Sequence, residues 1–266
     1  MNVTLQKKQI ENPKIVSRSE WLGARKLLSA REREVAKLDD ELNAERRMLP
    51  WVKIEKEYLF DGPTGRLTLA QLFNDRSQLF IKHFMMGPGQ KNQCVGCSLE
   101  VDHLAGLLPH LENHDVSYVA VARAPIDEIE TLRKRMDWHF PWVSSLHSDF
   151  NYDFQVSFKP EEMAAGTATY NYKRGNPGME DLSGDSVFYK NAQGEIFHTY
   201  SAFGRGAEIF LGIYAFLDVM PKGRNENGPY HSLTDWARPH NLYGKGGTVE
   251  GNGRYHTSGC ACGSHK

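Results

Sequence analysis

Two cysteines separated by two residues, Cys94 and Cys97, have the spacing in this chain that best suits redox chemistry. A thiol at the start of a helix is stabilised as a thiolate by unpaired backbone N–H groups and by the helix dipole. A second thiol one turn later can reach the same sulfur and close a disulfide. The pair therefore predicts a dithiol site in which Cys94 attacks an oxidised substrate and Cys97 resolves the intermediate.

Two other interpretations of this pair remain open, inert buried thiols and part of a metal site. A zinc site built from four cysteines usually takes two CxxC-like pairs, whereas the second pair here is Cys260 and Cys262, a CxC at the end of the chain. With His256 and His265, that second pair predicts a soft-metal site. Metal binding has two alternatives: the second pair exchanges disulfides with the first pair, or it has no role.

Three further side chains are candidates for substrate binding. Arg123 follows a predicted strand next to the cysteine-bearing one, where it either stabilises a thiolate or forms an ordinary ion pair. Trp138 and Trp142 belong to an aromatic segment that predicts either a binding wall or core filling. His83 and His198 lie in predicted strands and are interpreted as hydrogen-bonded core histidines.

The composition excludes several classes of protein. With 32 Lys plus Arg against 33 Asp plus Glu, the chain lacks the basic excess that suits nucleic acid or anionic membranes, so we expect neither partner. Its 266 residues contain no P-loop, serine-hydrolase elbow, HExxH or EF-hand motif. They also lack an apolar run of about 18 residues and a secretory signal, so we predict a cytoplasmic protein without structural disulfides.

The apolar pattern places the first cysteine pair between two buried strands. Residues 79–85 and 116–122 form apolar runs of strand length, and a loop and an amphipathic helix separate them. This order predicts a right-handed βαβ unit with the cysteines outside the carboxyl end of the first strand, where ligands collect in open α/β sheets. A hairpin predicted within residues 187–201 makes the sheet mixed.

The two ends of the chain differ in character. Ser17 and Glu20 have the spacing of a capping box, and apolar residues recur through Leu49, which predicts a helix of about 30 residues. The rest of the chain or a second subunit must cover its apolar stripe, so a homo-oligomer is one expectation. Beyond residue 221 the sequence is rich in glycine. We therefore predict a helical arm over 1–50, an α/β domain over 51–221 and an irregular or flexible tail over 222–266.

Six blocks in this order resemble the DUF899 family: 67–88 (LTLAQLFNDRSQLFIKHFMMGP), 94–98 (CVGCS), 119–125 (VAVARAP), 135–145 (RMDWHFPWVSS), 148–154 (SDFNYDF) and 197–206 (FHTYSAFGRG). The resemblance spans about residues 10–235. It implies a thioredoxin-like mixed sheet flanked by helices, distantly similar to peroxiredoxins. The chain departs from thioredoxins in having no proline beside Val187, and from peroxiredoxins in having no threonine in the loop before Cys94.

Taken together, the sequence predicts a dithiol–disulfide oxidoreductase that acts on a protein or small-molecule disulfide and is recycled by a thiol reductant. No organic cofactor is expected, because the sulfurs themselves carry the electrons. The alternatives are a peroxidase that uses the same thiols on a peroxide, a thioredoxin-fold module that binds a ligand through its aromatic wall, and a metal-handling protein.

Overall fold

The computed structural model describes residues 13–257, and the chain divides into two compact units at Trp51 and Val52. The first unit contains one long helix, α1 (Arg18–Arg47). The Ser17 hydroxyl accepts the Glu20 N–H at 3.3 Å, and the Glu20 carboxylate accepts the Ser17 N–H at 3.0 Å. The predicted capping box and helix are therefore confirmed.

The apolar stripe of α1 is open to solvent in the single chain. Helix α1 has no buried residue. The five stripe residues are between 43% and 63% exposed: Leu28, Val35, Leu38, Leu42 and Leu49. Cover of this stripe by the rest of the chain or by a second subunit stays a prediction.

The second unit is built on a mixed sheet. Its strands are β1 (Val52–Lys53), β2 (Leu59–Gly62), β3 (Gly65–Thr68), β4 (Gln78–His83), β5 (Gln93–Cys94), β6 (Val116–Ala122), β7 (Trp142–Ser144), β8 (Thr169–Tyr170), β9 (Lys173–Arg174), β10 (Gly184–Lys190), β11 (Ile196–Ala202), β12 (Thr248–Val249) and β13 (Arg254–His256). Its α-helices are α2 (Leu69–Leu72), α3 (Val95–Val101), α4 (Leu104–Asn113), α5 (Ile126–Arg135), α6 (Phe150–Asp153), α7 (Pro160–Ala165) and α8 (Ile213–Leu217).

The main sheet has the order β1-β11-β10-β4-β6-β7-β2-β3. Strands β4, β6 and β7 are parallel, with α3 and α4 between the first two and α5 between the last two. Strand β10 pairs antiparallel with β4 and with β11. The βαβ unit followed by an antiparallel hairpin and a helix is the thioredoxin-like arrangement, so the predicted fold class is confirmed.

Both faces of the central strands are covered by apolar cores. One core contains Cys94, Cys97, Phe84 and the aromatic segment with Trp138 and Trp142. The other lies on the opposite face and includes Leu79, Ile81, Val119, Val121 and Phe150. Burial on both faces explains why β4 and β6 are nearly continuous apolar runs.

The C-terminal segment is irregular, as predicted, but its described part is folded onto the domain. It contains two short 3-10 turns, Leu233–Asp235 and His240–Leu242, and then β12 and β13. Gly253, with φ of 80°, closes the turn that leads into β13. Strand β13 then pairs antiparallel with β5, which places Arg254 opposite Cys94. Residue 221 is therefore not the end of the compact unit.

None of the helices described is long and apolar enough to cross a membrane. The predicted cytoplasmic location stays a prediction.

We expect the full chain to self-associate through α1 and a chain starting at Val52 to stay folded and monomeric. The exposed stripe belongs to α1, whereas the sheet and its cores lie within the second unit. Sedimentation velocity and thermal denaturation of both chains measure this. A full chain that sediments as a monomer at all concentrations would show that the stripe has no partner in a second copy.

Candidate functional site

Strand β5 and helix α3 position the two cysteines. Cys94 ends β5 and caps α3, and its Sγ accepts the backbone N–H of Cys97 at 3.3 Å. Both residues are free thiols, 4% and 2% exposed respectively. The first cysteine is therefore at the start of a helix, as its spacing predicts, but it is buried instead of facing solvent.

The two thiols differ in acidity. A hydrogen bond from the Cys97 thiol lowers the pKa of Cys94 to about 6 against the opposing effect of burial, with further help from the Cys97 N–H and the positive charges of Arg254 and Lys82. Burial raises the pKa of Cys97 well above its ordinary value, and its hydrogen bond to Cys94 and the charge of Cys94 act in the same direction. These shifts favour ionisation of Cys94 over ionisation of Cys97.

Met85 touches both sulfurs. The Cys94 thiol lies 3.7 Å from the Met85 thioether sulfur. The Met85 N–H donates to Cys97 Sγ at 3.5 Å. The backbone oxygen of Met85 accepts a hydrogen bond of 2.9 Å from Arg254 Nη1. This methionine thus links the dithiol to the C-terminal segment.

Arg254 is a site residue that the sequence analysis missed. Its buried guanidinium also donates to the backbone oxygen of Asn92 at 3.4 Å. Arg254 therefore fixes the backbone on both sides of the loop before Cys94. Its charge favours the Cys94 thiolate. The residue lies in the irregular tail, and its role depends on a strand pairing that leaves no local sequence signal.

A buried cluster of three charged residues lies beside Cys97. The Lys82 ammonium forms an ion pair with Glu100 Oε2 and lies 3.4 Å from Asp185 Oδ1. Lys82 and Asp185 are register partners on β4 and β10, and Glu100 follows Cys97 by less than one turn of α3. Within the part of the chain that is described, neither Asp185 oxygen has a hydrogen-bond partner.

Burial and charge set the ionisation of this cluster. Burial alone would lower the pKa of Lys82, but the charges of Asp185 and Glu100 outweigh it and the pKa is raised. Burial raises the pKa of Asp185 well above its ordinary value, although Lys82 opposes the shift. One ammonium thus lies between two carboxyl groups, and burial favours the neutral form of Asp185. The positive charge of Lys82 also favours ionisation of Cys97. The one signal in the sequence is a lone lysine within an apolar strand.

Arg123 has the ion-pair role that the sequence left as the alternative. Its guanidinium binds Asp181 through two hydrogen bonds of 2.6 and 2.9 Å. It also donates to the Tyr152 hydroxyl at 2.7 Å. These contacts occupy the guanidinium with protein groups, so the geometry favours a structural role over thiolate stabilisation.

The aromatic segment fills the core and does not form an open wall. Trp138 and Trp142 are buried, and their rings pack against Phe84 and Phe140. The Trp138 indole N–H donates to Asp102 Oδ1 at 2.8 Å. The predicted substrate contacts of the two tryptophans are therefore replaced by packing contacts within the core that holds the dithiol.

Both histidines in the strands are close to a serine hydroxyl, but only His83 lies in the core, and His198 is half-buried. His83 is fully buried, its Nε2 lies 2.9 Å from Ser186 Oγ, and burial lowers its pKa to about 3. His198 Nε2 lies 2.8 Å from Ser201 Oγ, and burial lowers its pKa as well. At neutral pH both rings are therefore uncharged.

The predicted metal site lies mostly beyond the described residues. Cys260, Cys262 and His265 fall outside them, and His256 Nε2 lies 2.8 Å from Glu250 Oε1. Among residues 13–257, no group of three His, Cys, Asp or Glu side chains is arranged to hold a metal ion. Metal binding or thiol exchange by the CxC pair stays a prediction.

Comparison with known proteins gives a family and distant structural similarity. The family model described as "Bacterial protein of unknown function (DUF899)" matches residues 10–243. No curated protein matches the chain. Among solved structures, peroxidoxin BcpB from Mycobacterium tuberculosis is 12% identical with a TM-score of 0.41, covering 62% of this chain and 94% of its own. A peroxiredoxin Q from Xanthomonas campestris is 14% identical with a TM-score of 0.42, covering 66% and 99%. The mitochondrial 2-Cys peroxiredoxin from Plasmodium falciparum is 10% identical with a TM-score of 0.38, covering 63% and 92%.

We expect Cys94 to be alkylated with a rate that rises with pH through about 6 and then levels off, because the thiolate is the reactive form. Cys97 should react only at much higher pH. Peptide mapping by mass spectrometry after timed alkylation separates the two cysteines, and the Cys94→Ser variant should lose the acidic phase. A Cys94 pKa at or above about 8.5, the unperturbed value, would contradict the site described above.

We expect Lys82→Met to destabilise the domain by about 3–5 kcal/mol, because it leaves two buried carboxyl groups without their cation. The matched control is Lys53→Met, which breaks a solvent-exposed ion pair with Glu195 and should change stability far less. Urea denaturation followed by circular dichroism gives both values. Equal losses in the two variants would contradict the buried charge cluster.

Proposed function

The chain belongs to the DUF899 family of bacterial proteins, and we propose that it is a thiol–disulfide oxidoreductase with Cys94 as nucleophile and Cys97 as resolving thiol. One observation carries this proposal: the Cys94 sulfur caps α3 and accepts a hydrogen bond of 3.3 Å from the N–H of Cys97. A thiolate that is stable near pH 7 and lies next to a protonated thiol is the state that a dithiol needs before it attacks.

The reaction follows from this pairing. The Cys94 thiolate attacks a disulfide RSSR, forms the mixed disulfide Cys94–S–S–R and releases RS⁻. Cys97 then gives its proton to the released RS⁻, which becomes RSH, and attacks the Cys94 sulfur, which closes the Cys94–Cys97 disulfide and releases the second RS⁻. The dithiol is oxidised by two electrons and RSSR is reduced to two thiols. A thiol reductant reverses the change in the protein.

The buried charges suit this cycle. We propose that Asp185 holds a proton while Cys94 is a thiolate, because the formal charges of Lys82 and Arg254 then balance those of the Glu100 carboxylate and the Cys94 thiolate. Oxidation removes the negative charge of the thiolate, and ionisation of Asp185 restores the balance. The ammonium of Lys82 also favours the Cys97 thiolate that the second step requires. We therefore include Lys82 and Asp185 in the proposed site as residues that act through Cys97.

The burial of both sulfurs favours a small oxidant over a folded protein, and this favours the peroxidase as the second candidate. In that reaction the Cys94 thiolate attacks ROOH, becomes a sulfenic acid and releases ROH after protonation. Cys97 then condenses with the sulfenic acid, giving the same disulfide and one water.

We expect Cys97→Ser to separate the two candidates, since it keeps the attacking thiol and removes the resolving one. With a small disulfide the variant should accumulate a mixed disulfide on Cys94, seen as the added mass of RS by intact-protein mass spectrometry. With hydrogen peroxide it should accumulate a sulfenic acid, detected by dimedone labelling. Rapid sulfenic acid formation with slow mixed-disulfide formation would favour the peroxidase over the disulfide oxidoreductase. The Cys94→Ser variant is the control, and labelling of Cys94 by neither reagent would overturn both candidates.

A further inference from the structure

An open cavity of about 370 Å³ lies beside the dithiol, between the loop before β5 and helix α5. Met85 and Gln93 line it, and these residues also adjoin the thiol site, since the Met85 sulfur lies 3.7 Å from Cys94 Sγ. Met85 thus adjoins both the cavity and the thiol. Methionine has three rotatable side-chain bonds, so its side chain can change position without moving the backbone.

The cavity has an apolar floor and a charged rim. Phe84, Met86 and Leu132 form the floor, and all three are buried. Lys91 and Arg135 supply two positive charges at the rim, both exposed to solvent. Glu128 supplies one negative charge, and its carboxylate accepts the Gly89 N–H at 3.0 Å. The rim therefore has an excess of one positive charge.

Arg135 is connected to the thiol site by side-chain hydrogen bonds. It donates to Gln93 Oε1 at 2.9 Å, and Gln93 Nε2 donates to Ser98 Oγ at 2.7 Å. Ser98 in turn donates to the Cys94 carbonyl oxygen at 2.7 Å. This chain of contacts fixes the cationic rim relative to the cysteine that attacks.

We propose that this cavity binds the oxidised substrate of Cys94, and that this substrate is a small molecule with an apolar body and one carboxylate. The inference rests on the proposed thiol chemistry and adds the substrate class to it. The apolar body lies on the floor, and the carboxylate pairs with Lys91 and Arg135. A monoanion matches the single excess charge of the rim. The volume lies in the range of small-molecule sites and excludes a folded protein.

The test compares two aromatic disulfides that release a coloured thiolate when Cys94 attacks them. Each half of dithiobis(nitrobenzoate) is an aromatic ring with one carboxylate and so matches the proposed apolar body with one carboxylate, whereas dithiodipyridine is neutral at the assay pH. The protein is the full chain with Cys97, Cys260 and Cys262 changed to serine, so that Cys94 is the remaining thiol. The measured quantity is the ratio of the two second-order rate constants.

In the Lys91→Met, Arg135→Met double variant we expect this ratio to fall about five- to tenfold, as the loss of two solvent-exposed ion pairs implies. The Glu128→Gln variant keeps an acceptor for Gly89 and removes the negative charge, so the ratio should rise. The matched control is Lys134→Met, which removes a charge from the same helix at a residue that does not line the cavity. High salt should reduce the difference between the variants.

A second readout does not depend on the charge of the reagent. Octanoate, which cannot be reduced, should slow the reaction of dithiodipyridine with the triple-serine chain that keeps Lys91 and Arg135. It should not slow the reaction of the double variant. An unchanged ratio in the double variant, or an equal fall in Lys134→Met, overturns the proposed cavity.

The outcomes also separate this proposal from the function on which it rests. Rapid reaction of Cys94 with both reagents and no dependence on the rim charges overturns the cavity alone. Slow reaction with both reagents at pH values above about 8.5 overturns the proposed thiol chemistry, whatever the ratio shows.

Discussion

A thiolate buried in a protein core must be stabilised by nearby hydrogen-bond donors and positive charges. The other features of this site follow from that constraint. The Cys94 thiolate is stabilised by the N–H and thiol of Cys97 and by the charges of Arg254 and Lys82. A buried ammonium has to be compensated in turn, and Lys82 is paired with Glu100 and Asp185. Burial of Asp185 raises the pKa of its carboxyl group, although the Lys82 ammonium opposes this shift. One buried charge thus determines the state of its neighbours.

The groups that meet at the dithiol come from distant parts of the chain. Lys82 lies on β4, Glu100 on α3 and Asp185 on β10. Arg254 comes from β13, which lies beyond the residues matched by the family model. A thioredoxin-like sheet can assemble such a site because β4 is central and has covered faces on both sides. The C-terminal segment completes it by covering the cysteines from the β5 edge.

Burial also connects the site to its proposed substrate. Both sulfurs are nearly inaccessible, and Met85, which contacts Cys94, also lines a neighbouring cavity. The sequence left Arg123 as either a thiolate partner or an ion pair, and Trp138 and Trp142 as either a binding wall or core. The first is held by Asp181, and the indoles fill the core. The cavity that does adjoin the thiol is lined instead by a loop and by α5, where Arg135 lies.

The sequence by itself determined the features that depend on near neighbours: the capped helix α1, the βαβ unit, the antiparallel hairpin and the position of Cys94 at the start of a helix. Apolar periodicity, capping residues and turn residues act within a few positions, so they can be recognised without a structure. Only the tertiary structure decided which charges meet Cys94 and Cys97, because Lys82 and Asp185 become neighbours through strand register and Arg254 through the pairing of β13 with β5. Likewise, the sequence identified the aromatic residues but could not assign them to core or wall, since the same apolar surface suits both.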